Sequence, residues 1–261
     1  MSAGAAVSVD INGPIMVVTL DRPKANAIDA ATSRALYDAV AQLETDDTLR
    51  VAIVTAAGRR FFSAGWDLKA ARDGEAADAD HGKGGFAGIT ELFGRTKPII
   101  AAVNGSAYGG GVELMLAADL VVAAENATFS FPEARLGVLP DAGGVIRMAT
   151  RLPRALAVEL LLTGRAFTAE EAHAWKLVNR IVDSDKVLTT ALDLARTLCD
   201  AAPLPVAATL DIIDTTAHLG EQAAFEVMRT LGTVTRVPGS GDAAEGPRAF
   251  AEKRSPQWCG R

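Results

Sequence analysis

Short apolar runs rich in β-branched residues punctuate the first half of the chain. Residues 14–20 (PIMVVTL) and 50–55 (RVAIVT) are bounded by turn residues and predict buried strands. Between them Ile28, Ala31, Ala35, Leu36, Val40 and Leu43 recur at spacings of three and four. That period predicts an amphipathic helix over residues 29–44, with Asp29 as its N-cap. Residues 99–103 (IIAAV) and 120–124 (LVVAA) predict two further strands. Strands separated by helical stretches indicate an α/β domain.

Residues 70–85 (AARDGEAADADHGKGG) break this rhythm, because they offer almost nothing to bury. They predict a mobile surface loop, and loops this long commonly act as lids or binding loops. From residue 153 onward helical patterns dominate. Thr168 and Glu171 form a capping box ahead of Ala172 and Trp175, so a helix starts there. Residues 187–198 and 222–231 carry a 3.6-residue period, and residues 245–254 predict a last short helix. A helical C-terminal section of this kind packs on its own core or on a neighbouring subunit.

Composition narrows the function classes. At 49% apolar and 22% charged residues the chain has the make-up of a globular protein. Its net charge of −6 argues against nucleic-acid binding, which needs a basic face. Cys199 and Cys259 have no ligand or pairing pattern around them, so neither a disulfide framework nor a zinc site is expected. No apolar run reaches the roughly 18 residues of a membrane helix, and residues 1–10 do not read as a signal peptide. A cytoplasmic location is the expectation.

The common catalytic motifs are missing. No P-loop, no G-x-G-x-x-G and no G-x-S-x-G occurs; residues 239–244 match the second only in part and lie in the helical tail. His81, His173 and His218 are scattered without partners. Two glycine-bearing turns remain, residues 61–68 (FFSAGWDL) and 102–114 (AVNGSAYGGGVEL), each after a strand-like run. Gly109, Gly110 and Gly111 open an apolar helix. They serve either close packing or the presentation of free amides to a ligand. Glu113 in V-E-L-M-L-A-A is either a carboxylate favoured by the helix dipole or one buried in an apolar pocket with a raised pKa. Glu133, after Pro132 at a helix start, has the same two readings. Together they suggest two carboxylates beside an oxyanion hole.

The ordered set D-R-P-K-A-N-A (21–27), F-F-S-A-G-W-D-L-K (61–69), A-V-N-G-S-A-Y-G-G-G-V-E-L (102–114) and F-P-E-A-R-L-G-V-L-P-D-A-G-G (131–144) resembles the crotonase (enoyl-CoA hydratase/isomerase) superfamily. The likeness runs on to residues 245–254 and is greatest to the carnitinyl-CoA dehydratase (crotonobetainyl-CoA hydratase) members. It implies a crotonase-type ββα spiral core over residues 1–200. It also implies a helical segment, 201–261, that trimerises and caps CoA. The activity implied is reversible hydration of a short enoyl-CoA by a homotrimer or dimer of trimers, with no cofactor or metal beyond the CoA of the substrate. A general short-chain hydratase or isomerase is the alternative. A non-catalytic acyl-CoA binder is disfavoured by the presence of both glutamates.

The resemblance also implies roles. The amides of Trp66 and Gly110 match the thioester-binding pair, Glu113 the group that handles water, and Glu133 the group that handles the α-proton. Lys24, Ala25, Ala27, Ala64, Asp67 and Leu68 match the CoA groove, and Phe250 and Lys253 match positions that reach CoA from the C-terminal end. Asp141 stands where simple hydratases have a glycine, as in carnitinyl-like members. Trp66, Phe86 and Tyr108 are candidates to face a quaternary ammonium group. Ser106 and Tyr108 depart from the carnitinyl-like pattern at positions expected to face the pocket.

Overall fold

The computed structural model describes residues 5–76 and 78–261. Strands β1 (Val7–Asn12) and β2 (Ile15–Leu20) pair antiparallel around a turn in which Gly13 takes φ +57°. The chain then enters helix α1 (Ala30–Thr45) and strand β3 (Val51–Ala56), whose six residues are all buried. Strand β4 (Phe61–Ser63), helix α2 (Leu68–Arg72), a 3-10 turn (Phe86–Gly88), strand β5 (Ile99–Val103) and strand β6 (Ser106–Tyr108) follow. Helix α3 (Gly110–Ala117), strands β7 (Leu120–Ala124) and β8 (Thr128–Ser130), and helices α4 (Glu133–Leu136), α5 (Gly144–Arg151) and α6 (Arg154–Thr163) come next. Strand β9 (Phe167–Thr168), helix α7 (Ala169–Ala174), strand β10 (Arg180–Val182) and helix α8 (Val187–Cys199) complete the α/β part.

Two sheets result. The larger runs β1-β2-β3-β5-β7-β10 and is parallel apart from the β1–β2 pair. The smaller runs β4-β6-β8-β9, parallel except for β8–β9. Helix α8 packs across β3, β5 and β7, while α1 lies against the 3-10 turn and the first strands. The four strands expected from apolar runs are all present, as is the helix capped by Asp29. Its carboxylate accepts from the Thr32 amide at 2.8 Å and from the Thr32 hydroxyl at 2.7 Å. The capping box at Thr168 and Glu171 forms as expected.

The helix start expected at Pro132 is α4, with Pro132 as its N-cap and Glu133 as its first residue. Several details differ from the sequence reading. The helix expected over 222–231 is α10 (Glu221–Met228), followed by a separate turn of helix, α11 (Gly232–Thr235). The last helix, α12 (Gly241–Glu252), starts four residues before the expected 245 because the Ser240 hydroxyl accepts from the Ala243 amide at 3.1 Å. One helix, α9 (Pro203–Thr216), was not singled out by the periodicity.

Helices α9 to α12 hold a surface that the chain covers only partly. Of α9 only Ala208 is buried, and Ile213 and Phe225 are 58% and 48% exposed. The last residues fold back onto the start of α12, where the buried Asp242 accepts from the amides of Cys259 and Gly260. Among the described residues, no helix is long and apolar enough to cross a membrane.

Asp29 combines a helix cap with an ion pair to Arg22 at 2.8 Å. Burial pushes its pKa up, but the Thr32 hydrogen bonds and the Arg22 charge outweigh this and hold it below 3.8. A lowered carboxylate pKa stabilises the fold above the unfolded value, and that contribution disappears as pH falls through the folded one. Asp29→Ala is expected to cost about 1–2 kcal/mol at pH 7. Urea unfolding of both proteins should show the gap closing below about pH 4.

Candidate active site

Three neighbouring parallel strands, β4, β6 and β8, end on the same side of the small sheet. Each hands its chain to one part of the site: β4 to Trp66, β6 to Gly110 and β8 to Glu133. Ligands of open α/β sheets gather at such carboxyl ends. Trp66 forms a single parallel bridge with Ile28. The Ile28 amide donates to the Gly65 carbonyl and the Asp67 amide to the Ile28 carbonyl, at 2.8 and 3.0 Å. The Trp66 amide is therefore turned to the opposite side, and it has no acceptor among the described residues. Gly110 is the first residue of α3, where an amide has no carbonyl four residues back.

Glycines allow these two amides to approach each other. Gly65 has φ +80°, and a Cβ there would lie 2.6 Å from both the Gly110 nitrogen and the Tyr108 carbonyl oxygen. Gly109 has φ +53°, and its missing side chain leaves room for the Glu133 carboxylate. A Cβ on Gly110 would strike the Phe86 ring at 2.4 Å, and one on Gly111 would strike the Ser63 carbonyl oxygen at 2.2 Å. The three glycines thus serve both readings left open by the sequence, close packing and the exposure of an amide.

A cavity of about 1060 Å³ opens on this surface. Trp66, Tyr108, Gly110, Glu113, Glu133 and Asp141 line it, and so do Ala64 and Leu68. Lys24, Ala25, Ala27, Asp67, Phe250 and Lys253 do not. Ala25 still lies alongside, since its carbonyl accepts from the Ala64 amide at 2.9 Å. The Asp67 carboxylate is occupied elsewhere: it caps α2 through Lys69 and Ala70 and pairs with Arg22 at 3.0 Å. Phe250 is 87% exposed and Lys253 is also exposed, both on or just after α12. Ser106, expected to face the pocket, instead bonds Thr128, whose hydroxyl also meets the Tyr108 hydroxyl at 2.9 Å.

Burial decides the chemistry of the two glutamates. Helix α3 is buried at every position, so Glu113 is only 4% exposed although it belongs to a helix first turn. Loss of water pushes its pKa up to about 8, aided by the charges of Glu133 and Asp141. The Gly144 amide, which donates to Oε1 at 2.8 Å, and the Arg147 charge oppose that rise without cancelling it. The reading in which the helix dipole simply favours an ionised surface carboxylate is therefore excluded. Burial likewise raises Glu133 to about 7; its own backbone N–H opposes the rise and Asp141 adds to it. Its Oε2 is buried with no hydrogen-bond partner among the described residues. Both groups are poised near neutral pH, as proton-transfer groups must be.

The polar segment after α2 walls the same cavity through Asp78, Asp80 and His81. It lacks apolar anchors, as expected, yet polar contacts tie it to α1. Glu75 accepts from the Ala30 amide at 3.1 Å and from the Trp66 indole at 3.3 Å. His81 Nδ1 meets the Ser33 hydroxyl at 2.8 Å, and Arg34 donates to the Asp80 carbonyl. Other supporting residues also escaped the sequence reading. Arg22 bridges Asp29 and Asp67. Asn26, 4% exposed, donates to the carbonyls of Ala57 and Phe61 and so ties residues 22–28 to the start of the amide-bearing turn. The signal available was a charged and an amide residue inside a short loop that itself precedes a helix cap.

A carboxyl group whose pKa is raised in the folded state binds a proton that the unfolded chain has released. Stability therefore falls as pH rises from 4.5 toward the folded values of about 7 and about 8. Glu113→Gln and Glu133→Gln are each expected to stabilise the fold at pH 9 by on the order of 2 kcal/mol, read as a higher melting temperature. Neither should do so at pH 4. Calorimetric scans at the two pH values check both the sign and the window.

Comparison with known proteins agrees with this geometry. A family model described as enoyl-CoA hydratase/isomerase matches residues 10–261. A relative from Salmonella arizonae, named carnitinyl-CoA dehydratase, is 54% identical over 252 residues, which span 95% of this chain and 96% of that one. The crystal structure of an enoyl-CoA hydratase from Mycobacterium tuberculosis H37Rv superposes with a TM-score of 0.91 at 42% identity, covering 98% of this chain and 99% of the other. A carnitinyl-CoA hydratase from Mycobacterium avium superposes at 0.77 with 41% identity, covering 99% and 100%. The chain belongs to the enoyl-CoA hydratase/isomerase family, and its fold is the crotonase fold.

Proposed function

We propose that this protein catalyses the reversible hydration of a short enoyl-CoA thioester, with crotonobetainyl-CoA and carnitinyl-CoA as its substrate pair. The observation that carries the reading is the placement of two buried glutamates, with pKa values pushed up to about 8 and about 7, in one cavity with two free amides. The Trp66 and Gly110 N–H groups receive the thioester oxygen, whose negative charge grows as the α-carbon gains enolate character. Glu113, in the fraction of molecules where it is ionised, takes a proton from water as its oxygen adds to the β-carbon, and protonated Glu133 delivers a proton to the α-carbon. In dehydration the same two groups exchange roles.

Lys24, Ala25 and Ala27 continue the groove beyond Ala64, Asp67 and Leu68, and CoA lies along it. Phe250 and Lys253 reach CoA from a neighbouring subunit, which accounts for their exposure in a single chain. The half-covered apolar helices of segment 201–261 then form the contacts of a trimer or a dimer of trimers. Light scattering at micromolar concentration should give the mass of three or six chains, and a monomer would refute the assembly.

The name of the 54% identical relative supports the carnitinyl substrate, and so does Asp141 on the cavity wall. A cation in that cavity meets acidic side chains and the rings of Trp66 and Phe86. A cation over a ring face gains about 0.5 to 2 kcal/mol, at most roughly thirtyfold in specificity. The 0.91 superposition on an enoyl-CoA hydratase supports a second reading, a general short-chain hydratase. Steady-state assays separate the two. Glu113→Gln and Glu133→Gln should each lower kcat by about 10²-fold or more, while calorimetry shows nearly unchanged binding of a CoA thioester. Wild type should favour crotonobetainyl-CoA over crotonyl-CoA in kcat/KM, and Asp141→Gly should reduce that ratio. A strong wild-type preference for crotonyl-CoA would establish the second reading instead.

A further inference from the structure

A single guanidinium joins the two halves of the site. Helix α5 starts at the turn that aims the Gly144 amide at Glu113, and one turn of helix later it carries the half-buried Arg147. Its Nη1 donates to the Ala142 carbonyl at 3.2 Å and its Nη2 to the Thr90 carbonyl at 2.6 Å. Gly143, at φ +100°, has no side chain where the guanidinium sits: a Cβ there would lie 1.9 Å from Nη1. Arg147 is therefore seated directly against the backbone of the turn that orients Glu113.

Its other contact leads to the amide-lined half. Thr90 is 1% exposed, and its hydroxyl donates to the Phe86 carbonyl at 2.7 Å. The Phe86 ring in turn occupies the space a Gly110 side chain would need. One chain of contacts thus runs from the Glu113 carboxylate through Gly144, the Ala142 carbonyl and Arg147 to Thr90, Phe86 and Gly110.

Among the described residues Arg147 forms no salt bridge; both of its side-chain hydrogen bonds go to main-chain carbonyls. A half-buried charge held without a counter-ion costs stability, and here the two carbonyls it grips belong to the two halves of the site. The charged groups around it are Arg151, Glu113, Arg95 and Glu91. Those facing Glu113 are Glu133 from α4, Asp141 from the turn before α5, and Arg147 itself.

We propose that Arg147 is a positioning residue for the hydration reaction, holding the Glu113 carboxylate in register with the Gly110 amide while touching no substrate. The proposal rests on the acid–base assignment of Glu113 made above. Arg147→Gln removes both the fork and the charge, whereas Arg147→Lys keeps the charge and loses the two-pronged donation.

The test measures kcat and KM for the enoyl-CoA substrate across pH, together with melting curves. Arg147→Gln should lower kcat by about 10²-fold, the effect of a displacement of about 1 Å at a reacting group, with KM within about threefold of wild type. The limb of the pH profile that belongs to Glu113 should move to higher pH, because a neighbouring cation has gone. Arg147→Lys should leave that limb in place and recover part of kcat. Wild-type kcat in Arg147→Gln overturns the proposal, as does an equal loss in both variants with an unmoved limb. Should Arg147→Gln fail to fold, Arg147→Lys decides alone: a lower kcat at wild-type KM and melting temperature supports the role, and wild-type kcat refutes it. Glu113→Gln serves as the control. If it turns over like wild type, the acid–base assignment itself fails; if it is inactive while Arg147→Gln is unaffected, only the positioning role fails.

Discussion

The site depends on a backbone-to-backbone contact at Gly65, where the space for one carbon atom does not exist. The Gly110 nitrogen and the Tyr108 carbonyl oxygen each lie 2.6 Å from where that carbon would stand. Two turns from distant parts of the chain can present adjacent amides only if neither carries a side chain at the crossing. Gly110 and Gly111 extend the constraint, against the Phe86 ring and the Ser63 carbonyl. The larger sheet supplies what such a contact needs: β3 and β5, buried along their whole length, form a base that does not yield.

Against that base the molecule tolerates two acids where water is scarce. The Gly144 amide offers Glu113 a single fixed hydrogen bond, which is too little to restore an ordinary carboxylate. Glu133 has less, with one oxygen unpartnered. Unsatisfied buried groups are rare in folded proteins and gather where chemistry requires them. Other charges of the chain are compensated directly. Arg95 pairs with Asp119 at 2.8 Å, and the buried Glu245 accepts from Arg248, Arg254 and the Gln257 amide. Among the described residues Asn104 Oδ1 is also buried without a partner, so what sets the cavity apart is two buried carboxyl groups of raised pKa on one wall.

Much of the large sheet was legible because buried strands write themselves as β-branched runs. The helix after Asp29 was legible because one face repeats every three to four residues. The small sheet was not: β4, β6 and β8 are three residues each, too short for the two-residue alternation of a strand to repeat. The glutamates were legible as candidates, but the burial that raises their pKa belongs to the packing of α3 and could not be read from V-E-L-M-L. The partners Arg22–Asp67 and Glu75–Trp66 are separated by 45 and 9 residues and join only after folding. Residues 70–85 had the composition of a free loop, yet their polar groups find specific partners on α1, a pairing that hydrophobicity does not encode. Lys24, Phe250 and Lys253 were named by family likeness alone, and one chain does not bring them to the cavity.

The two donors proposed to bind the thioester oxygen are main-chain groups, whereas the two proposed proton carriers are side chains. A random substitution at Trp66 leaves its amide in place, and only changes at the few crowded glycines displace the pair. A substitution at Glu113 or Glu133 removes or withdraws its carboxyl group. The thioester cradle is therefore indifferent to which side chain stands at position 66, whereas proton transfer depends on the identity of the side chains at 113 and 133.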